Sequence, residues 1–453
     1  MEAVYARCAG LDVHKKSVVA CRARPASGGG QERETRQFGT TTAELVALVE
    51  WLRAWGCTHV AMESTGSYWK AVYNLLEGEF EVLVVNAQHV KRVPGRKTDV
   101  SDAEWLCELL GHGLLRGSFI PPAAQRDLRD LTRYRTALIE ERAREVNRVQ
   151  KLLESANIKL ASVATDILGT SGRAMLAALA SGEMEPAAMA ELARGRLRAK
   201  IPALEQALTG RMRQHHRYML AHYLRHIQFL DEQIAAVSEQ IVEQLAAIPE
   251  GAGEDESTDD SGASGHPLQD AASSDGEVAT QERVALGGMS AVQLLTTIPG
   301  VDQRIAEVIV AELGTDMRRF PTAHHAAAWG GLSPGNNESG GKHYSGRLRQ
   351  GNRALRRAAV QAAWAASRTA DTYLAAQYHR LAARRGKKRA VVAVAHSILV
   401  IAYHMLSRHK PYRELGGNYF DERKKESVVN RLMRRIQNLG YHVSLEPIAA
   451  AAT

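Results

Sequence analysis

Residues 5–24 read YARCAGLDVHKKSVVACRAR. Two runs of small and β-branched apolar residues flank the polar stretch His14–Lys16, the pattern of two strands joined by a turn. One acid, Asp12, interrupts the first run. Its apolar neighbours make a solvated surface position an awkward reading, so this residue asks for a chemical explanation.

Working outward, a third strand is expected near Thr35–Gly39. Thr42 is expected to cap a helix running to Trp55, with Leu45, Leu48, Val49 and Leu52 on its inner face. HVAMEST then reads as a buried strand ending at Glu63, SYWKAVYNLLEG as a helix and FEVLVVNA as another strand. The segment from Asp99 to Leu110 reads as helical. A three-strand meander followed by alternating helices and strands is the order of a ribonuclease-H-like sheet. Asp12 then lies on the first strand and Glu63 at the end of the fourth. Asp99 and Asp102, spaced i and i+3, would share one face of the helix. Four acids in this order suit a divalent-metal nuclease, because magnesium takes oxygen ligands and keeps several waters. Like charges held together are costly unless a cation neutralises them, and metal-assisted phosphoryl transfer supplies that cation.

The charge distribution points to a polyanionic partner. Residues 250–282 carry ten Asp or Glu and no Lys or Arg, leaving 58 basic against 40 acidic residues elsewhere. That excess is clustered and rich in arginine, as expected of a nucleic-acid binder. The four cysteines, Cys8, Cys21, Cys57 and Cys107, show neither a CxxC pair nor zinc spacing, which fits a reducing cytoplasm. No signal-peptide core opens the chain. The apolar run at 391–406 contains His396 and His404 and reads as a buried helix rather than a membrane span.

The middle of the chain is helical. Residues 126–160 carry an imperfect heptad at Leu128, Leu131, Leu138, Val149 and Leu152. A cleaner one follows at Leu220, Tyr223, Ile227, Leu230, Ile234, Val237 and Ile241, suggesting a coiled coil within the chain or between chains, ended by Pro249. The acidic stretch that follows has almost no large apolar residue and reads as a disordered linker. The last domain opens with LLTTIPGVDQRIAEVIVAELG, which has the pattern of a helix-hairpin-helix turn offering backbone N–H groups to phosphate. A Gly-rich loop and a basic helix with Arg353, Arg356 and Arg357 come next. Ser339 in that loop suits a turn residue, a phosphate contact or a nucleophile. Activation as a nucleophile needs a nearby base or metal.

GLDVHKKS, MESTG and KTDVSDA near the start, with IPGV and GGLSPGNNESGGKHYSGRLRQGNRALRRA towards the end, resemble the DEDD transposases of the insertion-sequence one-ten family, recombinases guided by a structured bridge RNA. The resemblance implies an α/β plus all-α architecture. It would comprise a RuvC-like (RNase H fold) domain at 1–125, a helical coiled-coil region at 126–248, and the acidic disordered linker at 249–284. A mainly helical C-terminal transposase domain at 285–410 and a basic tail at 411–453 would complete it. It further implies a metal-binding tetrad of Asp12, Glu63, Asp99 and Asp102 holding Mg2+ or Mn2+. Ser339 matches the catalytic serine, with Ser345 as the fallback. Lys342, Arg347, Arg349, Arg353, Arg356 and Arg357 are the expected nucleic-acid contacts. The implied partners are DNA (element ends and target), a guide RNA and further copies of the chain in a homodimer or homotetramer, with no membrane. The implied setting is the prokaryotic cytoplasm, associated with the nucleoid when bound. The acidic stretch departs from the family pattern and has the look of an insertion. The rival reading is a RuvC-like metal-dependent endonuclease or junction resolvase in which water is the nucleophile.

Overall fold

The computed structural model describes residues 4–26, 30–64, 66–86, 101–247, 289–333, 338–339, 342–343, 348 and 350–445. These divide into two compact units, Met1–Pro121 and Pro122–Thr453.

The first unit is built on β1 (Cys8–Val13), β2 (Ser17–Pro25), β3 (Gln31–Gly39), α1 (Thr42–Ala54), β4 (His59–Glu63), α2 (Trp69–Leu76), β5 (Glu81–Val85) and α3 (Asp102–Gly111). The sheet order is β3-β2-β1-β4-β5. β1, β2 and β3 pair antiparallel, whereas β4 runs parallel to β1 and β5 parallel to β4. This mixed sheet with covering helices is consistent with a ribonuclease-H-like DEDD domain. Strand side chains alternate between faces. Ala9, Leu11 and Val13 therefore meet the buried stripe of α1 and the α2 residues Val72 and Leu76. Cys8, Cys21, Ala23 and Ala61 face the other way, onto Ala103, Cys107 and Leu110 of α3. β3 begins four residues before the expected start, and its exposed edge carries Glu32, Arg33, Glu34 and Arg36, charges that discourage edge-to-edge pairing.

The expected helix from Asp99 begins instead at Asp102. Ser101 is its N-cap, with extended backbone (φ −61°, ψ 153°) and a reciprocal capping box with Glu104. The i, i+3 argument for Asp99 needed a helix continuous through residue 101, and the cap interrupts it there. Asp99 itself lies outside the described residues.

The second unit begins with α4 (Ala123–Ser155), followed by α5 (Leu160–Val163), α6 (Thr170–Ser181), α7 (Pro186–Ala190), α8 (Ile201–Leu208) and α9 (Gln214–Ala246). α4 and α9 run antiparallel within the chain. Leu128 meets Ile241, Leu138 meets Leu230 and Ile234, and Val149 and Leu153 join Leu220 and Ile227 in the core of the small helices. Asp231 ties the pair to α6, accepting from Arg142 and, at 2.5 Å, from Arg173. Burial pushes the Asp231 carboxyl up, but those two guanidinium groups outweigh it and hold the group below its usual range. Pro249 and the acidic stretch lie outside the described residues.

The remaining helices are α10 (Ala291–Thr296), α11 (Gln303–Leu313), α12 (Ala323–Trp329), α13 (Arg353–Ala366), α14 (Tyr373–Arg385), α15 (Lys387–Arg408), α16 (Tyr419–Glu422) and α17 (Lys425–Gln437). Between α12 and α13 the short strands β6 (Glu338–Ser339) and β7 (Lys342–His343) pair antiparallel. α15 is long and apolar enough to cross a membrane, yet 67% of its apolar window is buried. Val394, Ile398, Leu399 and Ala402 lie at the centre of the core formed by these helices. The apolar run is a core helix here, as its histidines suggested.

Candidate active site

Small residues create the acidic end of the first unit. A Cβ on Gly10 would stand 2.2 Å from the Ala103 carbonyl oxygen and 2.4 Å from the Cys107 nitrogen. Only glycine lets the α3 backbone come this close to β1. α3 lies antiparallel to β1. Its C-terminal Gly111 carbonyl accepts from the Val4 and Tyr5 N–H groups, while its first turn lies over Gly10. The N-terminus of α3 therefore falls at the carboxyl end of β1.

Three of the expected acids share that end. Asp12 follows Gly10 on the α3-facing side of β1. Glu63 follows Ala61 on the same side of β4, one step beyond the last β1–β4 pair, Leu11 with Met62. Asp102 is the first residue of α3. Asp12 is half-buried and bonds His14 Nε2 through Oδ2 at 2.9 Å; Glu63 is also half-buried and Asp102 is exposed. Their carboxylate oxygens are the right donor chemistry for Mg2+ or Mn2+. Among the described residues, however, no three His, Cys, Asp or Glu side chains gather closely enough to hold a metal ion. The fit is one of donor type and common location.

Cys8, Cys21 and Cys107 pack together between α3 and the sheet. All four cysteines are free and buried. Hydrogen bonding to Cys21 and Cys8, with burial, pushes the Cys107 thiol far above its usual range. Burial raises Cys57 to about 11.

In the second unit, the loop carrying Ser339 leaves and returns through a closed stem. The Asn352 N–H donates to the Trp329 carbonyl at 2.9 Å, and a Cβ on Gly351 would stand 2.4 Å from the Gly331 nitrogen. Ser339 pairs with Lys342 across the β6–β7 ladder. Ser345, Arg347 and Arg349 lie outside the described residues. Arg353 and Arg357 are exposed on the first turns of α13, and Arg356 is half-buried.

A buried carboxylate holds the stem. Glu312, 0% exposed, takes Arg133 Nε at 2.7 Å and a second Arg133 nitrogen at 2.9 Å, with Arg129 Nε at 3.3 Å. Asn352 Nδ2 donates to the same carboxylate at 2.6 Å, while Asn352 Oδ1 caps α13 through the Leu355 N–H. One side chain thereby links α4, α11 and the end of the serine loop. Desolvation lowers the Arg129 guanidinium to about 10 despite the Glu312 charge beside it.

Sequence reasoning passed over Gly10, Glu312 and Asn352. A glycine inside a strand signals close backbone approach, and an Asn before an amphipathic run signals a helix cap. An acid inside the apolar IAEVIVAEL run is a candidate for buried pairing. The helix-hairpin-helix turn uses its glycine for packing: Gly300, at φ +85°, abuts the α13 backbone, where a Cβ would stand 2.4 Å from the Ala366 nitrogen.

Residues 9–158 match a family model described as a transposase of the DEDD type, and residues 292–380 match the transposase IS116/IS110/IS902 family. The two matches fall in the expected order along the chain. The chain belongs to the IS110 family of DEDD transposases. It is thus an enzyme that acts on DNA. Transposases of the DEDD type generally use divalent metal ions. A probable family 20 transposase of Pseudomonas aeruginosa is 26% identical to this transposase over 361 residues, covering 78% of this chain and 85% of that one. An uncharacterized 43.6 kDa insertion element IS110 protein of Streptomyces coelicolor is 32% identical over 137 residues, covering 30% of this chain and 31% of its own length. The first family match contains Asp12, Glu63, Asp99 and Asp102; the second contains Glu312, Ser339 and Asn352.

Proposed function

We propose that this transposase cuts and rejoins DNA through a phosphoserine intermediate at Ser339. The serine Oγ attacks a backbone phosphorus, the bond to the 3′ oxygen breaks, and the released 3′ hydroxyl ends with the proton. Attack of an incoming 3′ hydroxyl on the phosphoserine reverses the chemistry, so strands are exchanged and resealed without ATP. Asp12, Glu63, Asp99 and Asp102 are the residues that would hold Mg2+ or Mn2+. The bound metal would stabilise charge developing on the phosphate. Lys342, Arg347, Arg349, Arg353, Arg356 and Arg357 hold nucleic-acid backbone, and a structured guide RNA selects the sequence by pairing.

The observation that carries this reading is the common location of Asp12, Glu63 and Asp102 at one end of the sheet, in a chain whose two family matches hold the acids and the serine separately. The antiparallel α4–α9 pair is read as a coiled coil, and the active form as a homodimer or homotetramer. The five-part division expected from the sequence is kept with it, as is a cytoplasmic, nucleoid-associated setting.

Strand transfer on a plasmid carrying element ends tests the carboxylates. Asp12→Asn and Asp102→Asn are expected to lose transfer by at least a hundredfold while still binding nucleic acid. Unchanged transfer in both variants would remove the metal role. Strand hydrolysis that survives Ser339→Ala would favour the RuvC-like nuclease with water as nucleophile.

A further inference from the structure

A cleft of about 900 Å³ opens in the second unit between α4, the start of α11 and the α12–α13 stem. Its size is that of a ligand site rather than a packing defect. Six arginines line it: Arg129, Arg133, Arg135, Arg304, Arg353 and Arg357. Four are committed to the fold. Arg129 and Arg133 go to Glu312, Arg135 to Glu307 at 2.6 Å, and Arg357 to Glu140. Arg304 and Arg353 remain, both exposed and neither with a side-chain partner among the described residues. The acids on the cleft wall are already engaged: Glu140 is paired with Arg357, and Asp302 caps α11 through the Ile305 N–H at 2.8 Å. Asp302 keeps its charge while capping, so two uncommitted arginines against one carboxylate leave the balance of the cleft positive.

One aromatic ring shares the wall. Trp329 is half-buried, with the Arg129 guanidinium carbon 5.2 Å from its ring centroid. Its backbone carbonyl receives the Asn352 N–H that closes the serine loop. Uncommitted arginines beside an aromatic face are the two elements of a single-strand site, where phosphates pair with cations and bases stack on a ring. In a duplex the bases stack on one another, so a half-buried indole in a cleft is reached only by an unpaired base.

We propose that this cleft binds a single-stranded stretch of polynucleotide, with phosphates on Arg304 and Arg353 and one base against Trp329. The choice of ligand class rests on the nucleic-acid reading above. It does not depend on the serine chemistry. The strand enters beside the stem of the serine loop, with α4 forming the opposite wall of the cleft.

The test is equilibrium binding of labelled single-stranded DNA and RNA oligonucleotides of one sequence to the full chain, in a Ser339→Ala background so that chemistry plays no part. Arg304→Glu with Arg353→Glu is expected to weaken binding of at least one of the two strands tenfold or more. The slope of log affinity against log salt should fall by about 1.4, roughly 0.7 for each phosphate that the variant no longer neutralises. Trp329→Phe should remove part of the fluorescence quenching caused by the oligonucleotide. An abasic oligonucleotide should keep the salt slope and lose that same part. Both arginines are exposed and unpaired among the described residues, so the melting temperature should hold; if the reversed-charge pair fails to fold, the Gln pair serves in its place. Unchanged affinity and slope for both strands would overturn the proposal, as would an equal loss for a duplex of the same sequence measured alongside.

Discussion

In the first unit, α3 reaches the sheet through missing side chains: Gly10 admits its backbone, while Ala61, Ala103 and the buried thiols keep the interface thin. In the second unit, the stem of the serine loop is held by a buried carboxylate with two arginines and an amide converging on it. The first arrangement tolerates no added volume and is indifferent to charge. The second depends on charge, because removing the Glu312 carboxylate leaves the desolvated Arg129 with the Ala311 and Glu312 backbone carbonyls but without the buried anion beside it. One transposase thus fixes its two candidate catalytic elements by different physics, and different substitutions should disable each.

The largest expected effect is at the charged stem. Glu312→Ala should cost about 3–5 kcal/mol in urea denaturation, the range for breaking a buried pair. Glu312→Gln keeps the shape, and most of the loss should remain if charge carries the stem; wild-type stability in Glu312→Gln would make the stem a packing feature and dissolve the contrast. Next, Gly10→Ala should cost about 1–3 kcal/mol through overpacking, read as a lowered melting temperature at both low and high salt. A neutral Gly10→Ala would mean that α3 rides away from the sheet freely.

The smallest effect is expected between α4 and α9. Asp231→Asn should cost about 1 kcal/mol, since the group is partly exposed and its hydrogen bonds are discounted accordingly. The sign follows from the lowered carboxyl: its contribution is complete above the ordinary value of 3.8 and is lost as pH falls below that, through the depressed folded value. Stability measured from pH 6 down to pH 2 should fall more steeply in the wild type than in Asp231→Asn. Parallel curves would assign the acid sensitivity elsewhere.

Local pattern carried much of this architecture. The alternation in residues 5–24, the apolar stripe Leu45–Leu52 and the HVAME strand were legible because period-two and helical patterns are written in neighbouring residues. The start of α3 was misplaced because Ser101 and Glu104 form a capping box, a signal weaker to the eye than the acids around it. Asp12 and Glu63 were legible as candidates because acids stand out on apolar strands. Gly10 and Glu312 were not, since each derives its meaning from a partner far along the chain: Ala103 for one, and Arg129, Arg133 and Asn352 for the other. The single-strand cleft joins residues from α4, α11, α12 and α13, and no local window contains it.

In the proposed mechanism a protein serine takes the strand while carboxylates at the end of the sheet support the chemistry. The most direct measurement is the capture of a covalent protein–DNA adduct on nicked element-end substrate, followed by mass spectrometry of the modified peptide. An adduct is expected on the peptide containing Ser339, absent in Ser339→Ala and sharply reduced in Asp12→Asn. An adduct that persists in Ser339→Ala on another residue, Ser345 included, or cleavage with no adduct at any time point, would contradict it.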